Sequence, residues 1–178
     1  MGCEDGYQRV GQEAPQKNYP QGIATNFILT YTEAKKKMST LDSSASRVIA
    51  ILKSPLNKDY DNQRFGYKVF PQGLHLDFFD HNNQKTVVKA DYGIIYSQTN
   101  LIDLQGNVVI ESQDGKKLET PQIYWDRKNN WIFTEAEFRY TNPEDGTVMD
   151  GKGMDFNRDL TFLSAQKTFG IMTIKENK

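Results

Sequence analysis

The stretch that decides the fold is LQGNVVIESQDGKKLETPQIYW, from Leu104 to Trp125. Apolar and polar residues alternate through it with a period near 2, which is the period of a β-strand with one buried face. The dipeptide Asp114-Gly115 interrupts the alternation, and this dipeptide is typical of tight hairpin turns. The stretch therefore predicts two antiparallel strands joined by a hairpin.

The same alternation continues on both sides of this hairpin. Upstream, Leu74, Leu76 and Phe78 share one face of a predicted strand. Downstream, Trp125 and Trp131 flank a polar turn, and we expect the two indoles to meet across a second hairpin. The pattern as a whole predicts roughly a dozen strands with short connections, arranged as an antiparallel sandwich, barrel or strongly curved sheet.

Only two segments, residues 32–38 and 44–52, contain the composition of a helix. Both are too short to form a stable helix on their own. Aromatic residues make up 12% of the chain, which favours strands. We therefore predict an all-β fold with little helix.

Length and charge limit the classes of partner. A chain of 178 residues suits one domain with its own core. Its 22 Lys and Arg residues nearly balance its 23 Asp and Glu residues, so no overall positive field favours nucleic acid. No apolar run approaches the roughly 18 residues of a membrane span, so we expect any membrane attachment to use a lipid.

The first residues have the character of an anchor and a linker. Residues 4–21 are polar and contain Pro15 and Pro20, so we predict an anchor and linker over 1–22 and one β domain over 23–176. Cys3, the only cysteine, precedes Glu4-Asp5-Gly6 and resembles the lipidated N-terminus of a mature bacterial lipoprotein. The alternative is a cytosolic chain with an incidental thiol.

The residues that carry catalysis or bind metals are few. His75 and His81 are six positions apart, and no third ligand has the spacing of a zinc site. Cys3 lies outside the predicted domain, which excludes a Cys-His pair. Glu135 and Glu137 share one strand face and are expected to be solvated. We predict no enzyme, no metal and no cofactor.

The central hairpin resembles the LptC family, the periplasmic component of the lipopolysaccharide export machinery. The family pattern Leu-x-Gly-x-Val, then a hairpin, then Leu-x-Thr-x-x-Leu-x-Trp-Asp matches Leu104, Gly106, Val108, Leu118, Thr120, Ile123, Trp125 and Asp126. Ala90-Asp91 and Gly151-Lys152-Gly153-Met154 match a strand end and a closing Gly-x-Gly of the family. The resemblance covers residues 25 to 165, and its motifs are structural rather than catalytic.

The resemblance implies an open, curved antiparallel sheet, folded like a taco or jelly roll (the OstA-like fold). Its concave apolar side would bind the acyl chains of lipopolysaccharide. The residues expected to line it are Val88, Ala90, Leu104, Val108, Ile110, Leu118, Ile123, Trp125, Phe138 and Phe156. Gly106, Gly151 and Gly153 would allow the sheet to bend.

The resemblance also implies partners and a location. Edge strands of the family join like folds by main-chain pairing. The strand near residues 26–32 would face the inner-membrane ABC transporter, and the strands after Leu160 would face a periplasmic bridge protein of the same fold. The protein would be periplasmic and anchored to the inner membrane of a Gram-negative bacterium, and ATP hydrolysis by its partners would drive lipid transfer.

Two other functions are compatible with the same residues. One is a lipoprotein that binds carbohydrate through the rings of Tyr124, Trp125 and Trp131. The other is a structural adaptor with a fully packed interior. Orientation separates them, because tryptophans inside an apolar trough favour lipid and tryptophans on an outer planar strip favour carbohydrate.

Overall fold

The computed structural model describes residues 18–34, 46–129, 131–158 and 160–171, which form one antiparallel sheet without a helix. Its strands are β1 (Gly22–Ala34), β2 (Ser46–Asp59), β3 (Tyr67–Phe70), β4 (Leu74–Phe79), β5 (Lys85–Ala90), β6 (Tyr92–Tyr96), β7 (Leu101–Ser112), β8 (Lys117–Asp126), β9 (Trp131–Asn142), β10 (Thr147–Phe156) and β11 (Leu163–Ile171). The prediction of an all-β fold is confirmed.

The segments with helix-forming composition belong to strands where the structure describes them. Residues 32–34 end β1, and residues 46–52 begin β2. The rest of those two segments, 35–38 and 44–45, lies outside the described residues, as do Cys3 and the predicted linker up to residue 17. The predicted anchoring through Cys3 therefore stays a prediction.

The sheet is a meander in which neighbours in the chain are neighbours in space. β2 pairs with β4 through Lys53 and His75 and with β3 through Lys58 and Val69, so β3 and β4 act as one long strand with a single interruption. β5 and β6 likewise lie end to end between this strand and β7. From β7 to β11, each strand pairs antiparallel with the next.

A line of irregular positions crosses the sheet from β3 to β10, and we call this line the crease. It comprises the interruptions after β3 and β5 and the register shifts at Gln105/Val108, Glu119/Tyr124 and Lys152/Met154. Bulges bend a strand and increase its twist, so irregularities aligned across neighbouring strands fold the sheet along one line. The two halves of the sheet therefore face each other.

A contact across the interior demonstrates this folding. β4 and β8 are separated in the sheet by β5 and β7. Even so, the rings of Phe78 in β4 and Trp125 in β8 meet edge to face, with their centroids 4.8 Å apart. The apolar faces of the two halves thus enclose a common core.

The backbone at the crease has conformations that favour glycine. Gly73, Gly106 and Gly153 have φ of +82°, +73° and +76°, in the left-handed region that L side chains rarely adopt. Gly151 is restricted differently, because a Cβ there would lie 2.2 Å from the carbonyl oxygen of Lys167. Gly73 completes the set at the crease, although it was not among the three glycines expected to bend the sheet.

The two edge strands are built differently from the centre. Every described side chain of β1 and β11 is exposed or half-buried, whereas β4, β7 and β8 each bury several apolar residues. In the described part of the chain, β1 pairs only with β2 and β11 only with β10. Both edges therefore present backbone groups along one side.

Candidate functional site

The inner face of the folded sheet contains all the residues expected to contact a lipid. Their side chains are 0% to 8% exposed and belong to one apolar cluster. The cluster includes Val88, Ala90, Leu104, Val108, Ile110, Leu118, Ile123, Trp125, Phe138 and Phe156. The structure thus places these ten residues on one face, and their contact with lipid stays a prediction.

The interior is tightly packed on one side of the crease. Val108 and Ile110 of β7 are 1% exposed, and Leu118 of β8 is 0% exposed. Close packing of this kind leaves no space for a further chain of methylene groups. An acyl chain could reach these side chains only if the two halves of the sheet separated.

A cavity of about 240 Å³ lies between the two halves, across from this packed region. Its lining residues are Tyr31, Ile49, Ala50, Leu52, Leu74, Leu76, Phe78, Ile95, Ile102, Leu104, Trp125, Arg127 and Arg158. Leu104 and Trp125 are the members of the predicted lipid-binding set that line it. Sequence alternation had placed Leu74, Leu76 and Phe78 on one face, but it could not show that this face lies opposite Trp125.

Two arginines lie over aromatic rings at one end of this cavity, which we call the cavity mouth (Tyr31, Phe78, Arg127 and Arg158). The guanidinium carbon of Arg127, in the turn after β8, is 5.7 Å from the ring centroid of Tyr31 in β1. That of Arg158, in the turn after β10, is 5.1 Å from the ring centroid of Phe78. Each contact joins an early strand to a late turn, so the pair holds the two halves together at this end.

The charges at the cavity mouth are not neutralised by carboxylates of the described residues. Among the described residues, neither guanidinium is within ion-pair distance of an Asp or Glu. Asp126, next to Arg127, accepts hydrogen bonds from Asn129. Asp155 accepts one from Trp131 Nε1, at 3.1 Å. Arg127 is exposed and Arg158 is half-buried, so both remain accessible to an anion.

Trp125 adds a polar group to the apolar lining. Its side chain is only 8% exposed, and its buried Nε1 has no hydrogen-bond partner in the described protein. Leaving a buried N–H without an acceptor costs about 1–3 kcal/mol, and most buried indoles avoid this cost by finding a partner. The lining therefore offers one donor to any acceptor that enters the cavity.

The expected meeting of Trp125 and Trp131 is wrong. The β8–β9 register pairs Trp125 with Ile132 and Asp126 with Trp131, so the two indoles point to opposite faces. Trp125 is buried, whereas Trp131 is 53% exposed. Tyr124 also lies on the outer face, where its ring packs 5.3 Å from that of Phe133. The planar strip of three aromatic rings proposed for carbohydrate binding is therefore not formed.

Neither a metal site nor a membrane-spanning helix is found in the part of the chain that the structure describes. Within those residues, His, Cys, Asp and Glu do not form a group of three or more that could hold a metal ion. The same residues contain no helix that is long and apolar enough to cross a bilayer. What the site offers is an apolar lining, one buried donor and two cations, a set of groups that suits binding of an amphiphile.

A comparison with protein families identifies the chain. The family model for lipopolysaccharide-assembly, LptC-related proteins matches residues 72–164, which are 93 of the 178 residues and include the crease from Gly73 to Gly153. No curated protein matches the chain. Proteins of the matched family take part in lipopolysaccharide transport, without known catalysis, and are periplasmic and associated with the inner membrane of Gram-negative bacteria. The chain therefore belongs to the LptC-related family.

Proposed function

We propose that this protein binds lipopolysaccharide through its lipid A acyl chains, on the inner face of the folded sheet. It would receive the lipid from inner-membrane ABC transporter subunits and pass it to a periplasmic bridge protein of the same fold. The observation that carries this proposal is an apolar cavity between the two halves of the sheet, continuous with the face formed by the ten predicted residues.

The chemistry of the lining supports an acyl chain as the occupant. Leu74, Leu76, Ile102 and Leu104 offer only apolar side chains to the cavity. Burial of apolar surface contributes roughly 25 cal/mol per Å², so a chain that lies along these residues gains affinity with each methylene it buries. The ten residues of the predicted set would extend this contact along the inner face.

The size of the cavity implies that loading requires movement. At about 240 Å³ it falls below the roughly 300–1,000 Å³ of typical small-molecule sites. Several acyl chains would need more space than this. We therefore expect the two halves to separate at the cavity mouth, opposite the crease, when lipid enters.

The edge strands support pairing with partners of the same fold. β1 and β11 expose one side of their backbones, and a further strand can add to such an edge through main-chain hydrogen bonds. Addition at either edge would extend the sheet and its apolar face together. By this proposal β1 faces the transporter and β11 faces the bridge protein.

We propose the same N-terminal arrangement that the sequence predicts. Lipidated Cys3 would anchor the protein to the inner membrane, and residues up to 22 would connect the anchor to a β domain over 23–176. A single acyl chain anchors a protein only marginally, whereas two or more hold it stably. Mass spectrometry of the membrane-extracted protein would test the modification.

Photo-crosslinking of purified lipopolysaccharide tests the proposed binding. A photoreactive aromatic residue replaces Tyr31, at the cavity mouth, or Leu118, in the packed region. Glu119 is the matched control, because it neighbours Leu118 in β8 but is paired with Val109 on the outer face. We expect crosslinks at Tyr31 and, once lipid has opened the sheet, at Leu118.

The pattern of crosslinks decides between the candidate functions. Crosslinks at Glu119 that are as strong as those at Tyr31 would show binding to the outside and contradict the trough. A folded Tyr31 variant that captures no lipid would remove the transport function and favour a structural adaptor.

A further inference from the structure

We infer that Arg127 and Arg158 form a phosphate clamp at the cavity mouth, so that the protein takes an acylated phosphate with its anionic head at the rim and its chain inside. This inference rests on the proposed lipid-binding function. It adds a headgroup requirement, which an apolar trough alone would not impose.

The first argument for the clamp is the position of the two arginines. They come from different turns, after β8 and after β10, yet both line the same cavity. Each lies over the ring of a residue from the opposite half, Tyr31 or Phe78. Two guanidinium groups at one rim provide several N–H donors in planar arrays, which match the oxygens of a phosphate.

The second argument for the clamp concerns the charges of Arg127 and Arg158. Arg139 on the outer face is neutralised by Asp150, through two bonds of 2.7 and 3.0 Å. Arg127 and Arg158 have no such partner within the described residues, and their contacts with aromatic rings leave the edges of the guanidinium groups open to hydrogen bonding. An arriving anion therefore displaces no ion pair that the described residues form.

Trp125 provides a second, independent observation. Its indole N–H is buried in the lining without an acceptor, next to Phe78, over which Arg158 lies. An ester or amide carbonyl, or a hydroxyl close to the head of an acylated phosphate, would accept this hydrogen bond. Phosphate at the rim, a polar linkage at Trp125 and an apolar chain beyond it follow the order of polarity in such a molecule.

Binding measurements on the full chain test the clamp. The probes are detergent-dispersed lipid A, the same lipid after enzymatic removal of its phosphates, and inorganic phosphate alone. The readout is Trp125 fluorescence in a Trp131→Phe background. The variants are Arg127→Gln with Arg158→Gln, the corresponding double Lys variant, and Arg139→Gln as a matched control whose guanidinium lies on the outer face of β9.

Two charge-assisted contacts predict that phosphorylated lipid binds at least about tenfold more tightly than the dephosphorylated form. The double Gln variant should lose this preference and keep its affinity for the dephosphorylated lipid. The double Lys variant should retain part of the preference, and Arg139→Gln all of it. Trp125→Phe leaves no tryptophan in that background, so its binding is measured by calorimetry, and we expect it to weaken both lipids by the same factor.

The remaining outcomes overturn one proposal or the other. If the protein with both arginines intact bound the two lipids with equal affinity, the clamp would be refuted and the lipid-binding function would remain. Saturable binding of inorganic phosphate that competes with dephosphorylated lipid would reassign the arginines to a free anion. Absence of binding to either lipid by the folded protein would refute the proposed function itself.

Discussion

Asp77, on the outer face of β4, is a nearly buried charged residue. Its side chain is only 8% exposed, and three cationic or ionisable groups surround it. His75 Nε2 and Lys85 Nζ lie 3.0 and 3.1 Å from Oδ1, and Lys53 Nζ lies 3.7 Å from Oδ2. Burial by itself would raise the pKa of Asp77, but the hydrogen bonds of His75 and Lys85 outweigh it and lower the pKa below 3.8.

We predict that Asp77→Asn destabilises the protein by about 1.5–3 kcal/mol at pH 7, the usual worth of hydrogen bonds to a charged group. Because the pKa is lower in the folded state, the ionised carboxylate stabilises the fold above the unfolded value of 3.8, and this contribution is lost as the pH falls through the folded pKa. Urea unfolding at pH 7 and at pH 3 measures both effects.

The Asp77 prediction has a matched control in Glu135, a carboxylate exposed on the outer face of β9. Glu135→Gln should change the free energy of unfolding by less than about 0.5 kcal/mol. If Asp77→Asn were equally harmless, or if its effect did not shrink in acid, the carboxylate would not be the stabilising group.

At the residue scale, alternation predicted the burial of side chains well where strands are regular. Leu74, Leu76 and Phe78 of β4 are all buried as expected. Leu118 and Ile123 lie an odd number of positions apart, and both are buried because a register shift lies between them. Alternation failed for Trp131, because one residue of the turn determines which face the next strand begins on. Arg127 and Arg158 lie in turns, where no periodicity exists, so the cavity mouth could be found only from the folded sheet.

The crease is the feature that organises the elements. Bulges at matching positions turn long strands into two facing halves, so the cavity results from where the strands bend rather than from any single loop. The conformation of Gly73 is part of this bend. A Cβ at that position would lie 2.7 Å from the backbone carbonyl oxygen of Ala90, which cannot move without disturbing β5.

We predict that Gly73→Ala destabilises the protein by at least about 2 kcal/mol, since left-handed backbone alone costs an L residue about 1–2 kcal/mol. Gly22→Ala is the control, because the nearest atom to a Cβ there is 3.9 Å away and its φ is not positive. Thermal unfolding followed by circular dichroism compares the two variants. Equal melting temperatures would show that the crease tolerates side chains at Gly73.

The elements were largely predictable, and the crease was not. Turn signals such as Asp114-Gly115 mark a real connection between β7 and β8, and the family pattern indicated a curved sheet. Where the strands bend depends on bulges such as the one between Gln105 and Val108. A bulge adds one residue to a strand and leaves no distinctive amino-acid composition. Its alignment with bulges in other strands can therefore be seen only once the strands are paired.

At the scale of the whole molecule, stability is expected to fall from the centre of the sheet towards its edges. β1 and β11 bury no described side chain completely, whereas the central strands supply the core. We predict that amides of these two edge strands exchange with solvent well before those of β7 and β8, because local opening there exposes little apolar surface. Hydrogen exchange read by mass spectrometry measures this order.

Addition of a partner that pairs with one edge should slow exchange in that strand alone. Protection that appeared first in β7 and β8 would contradict pairing at an edge and indicate contact with a face of the sheet. Uniform exchange across the free protein would show instead that the sheet opens as one cooperative unit.

The order of the strands in the sheet also affects how the protein can fold as it is made. Each strand pairs with the next one along the chain or with one at most three strands further on, so the sheet can form in the order in which the residues emerge, without waiting for distant segments. The contact between the two halves of the sheet is the exception, because Phe78 can contact Trp125 only after β8 has been synthesised. The strands before β8 therefore expose their apolar side chains until β8 has emerged, and during this interval they could bind a chaperone that recognises exposed β-strands.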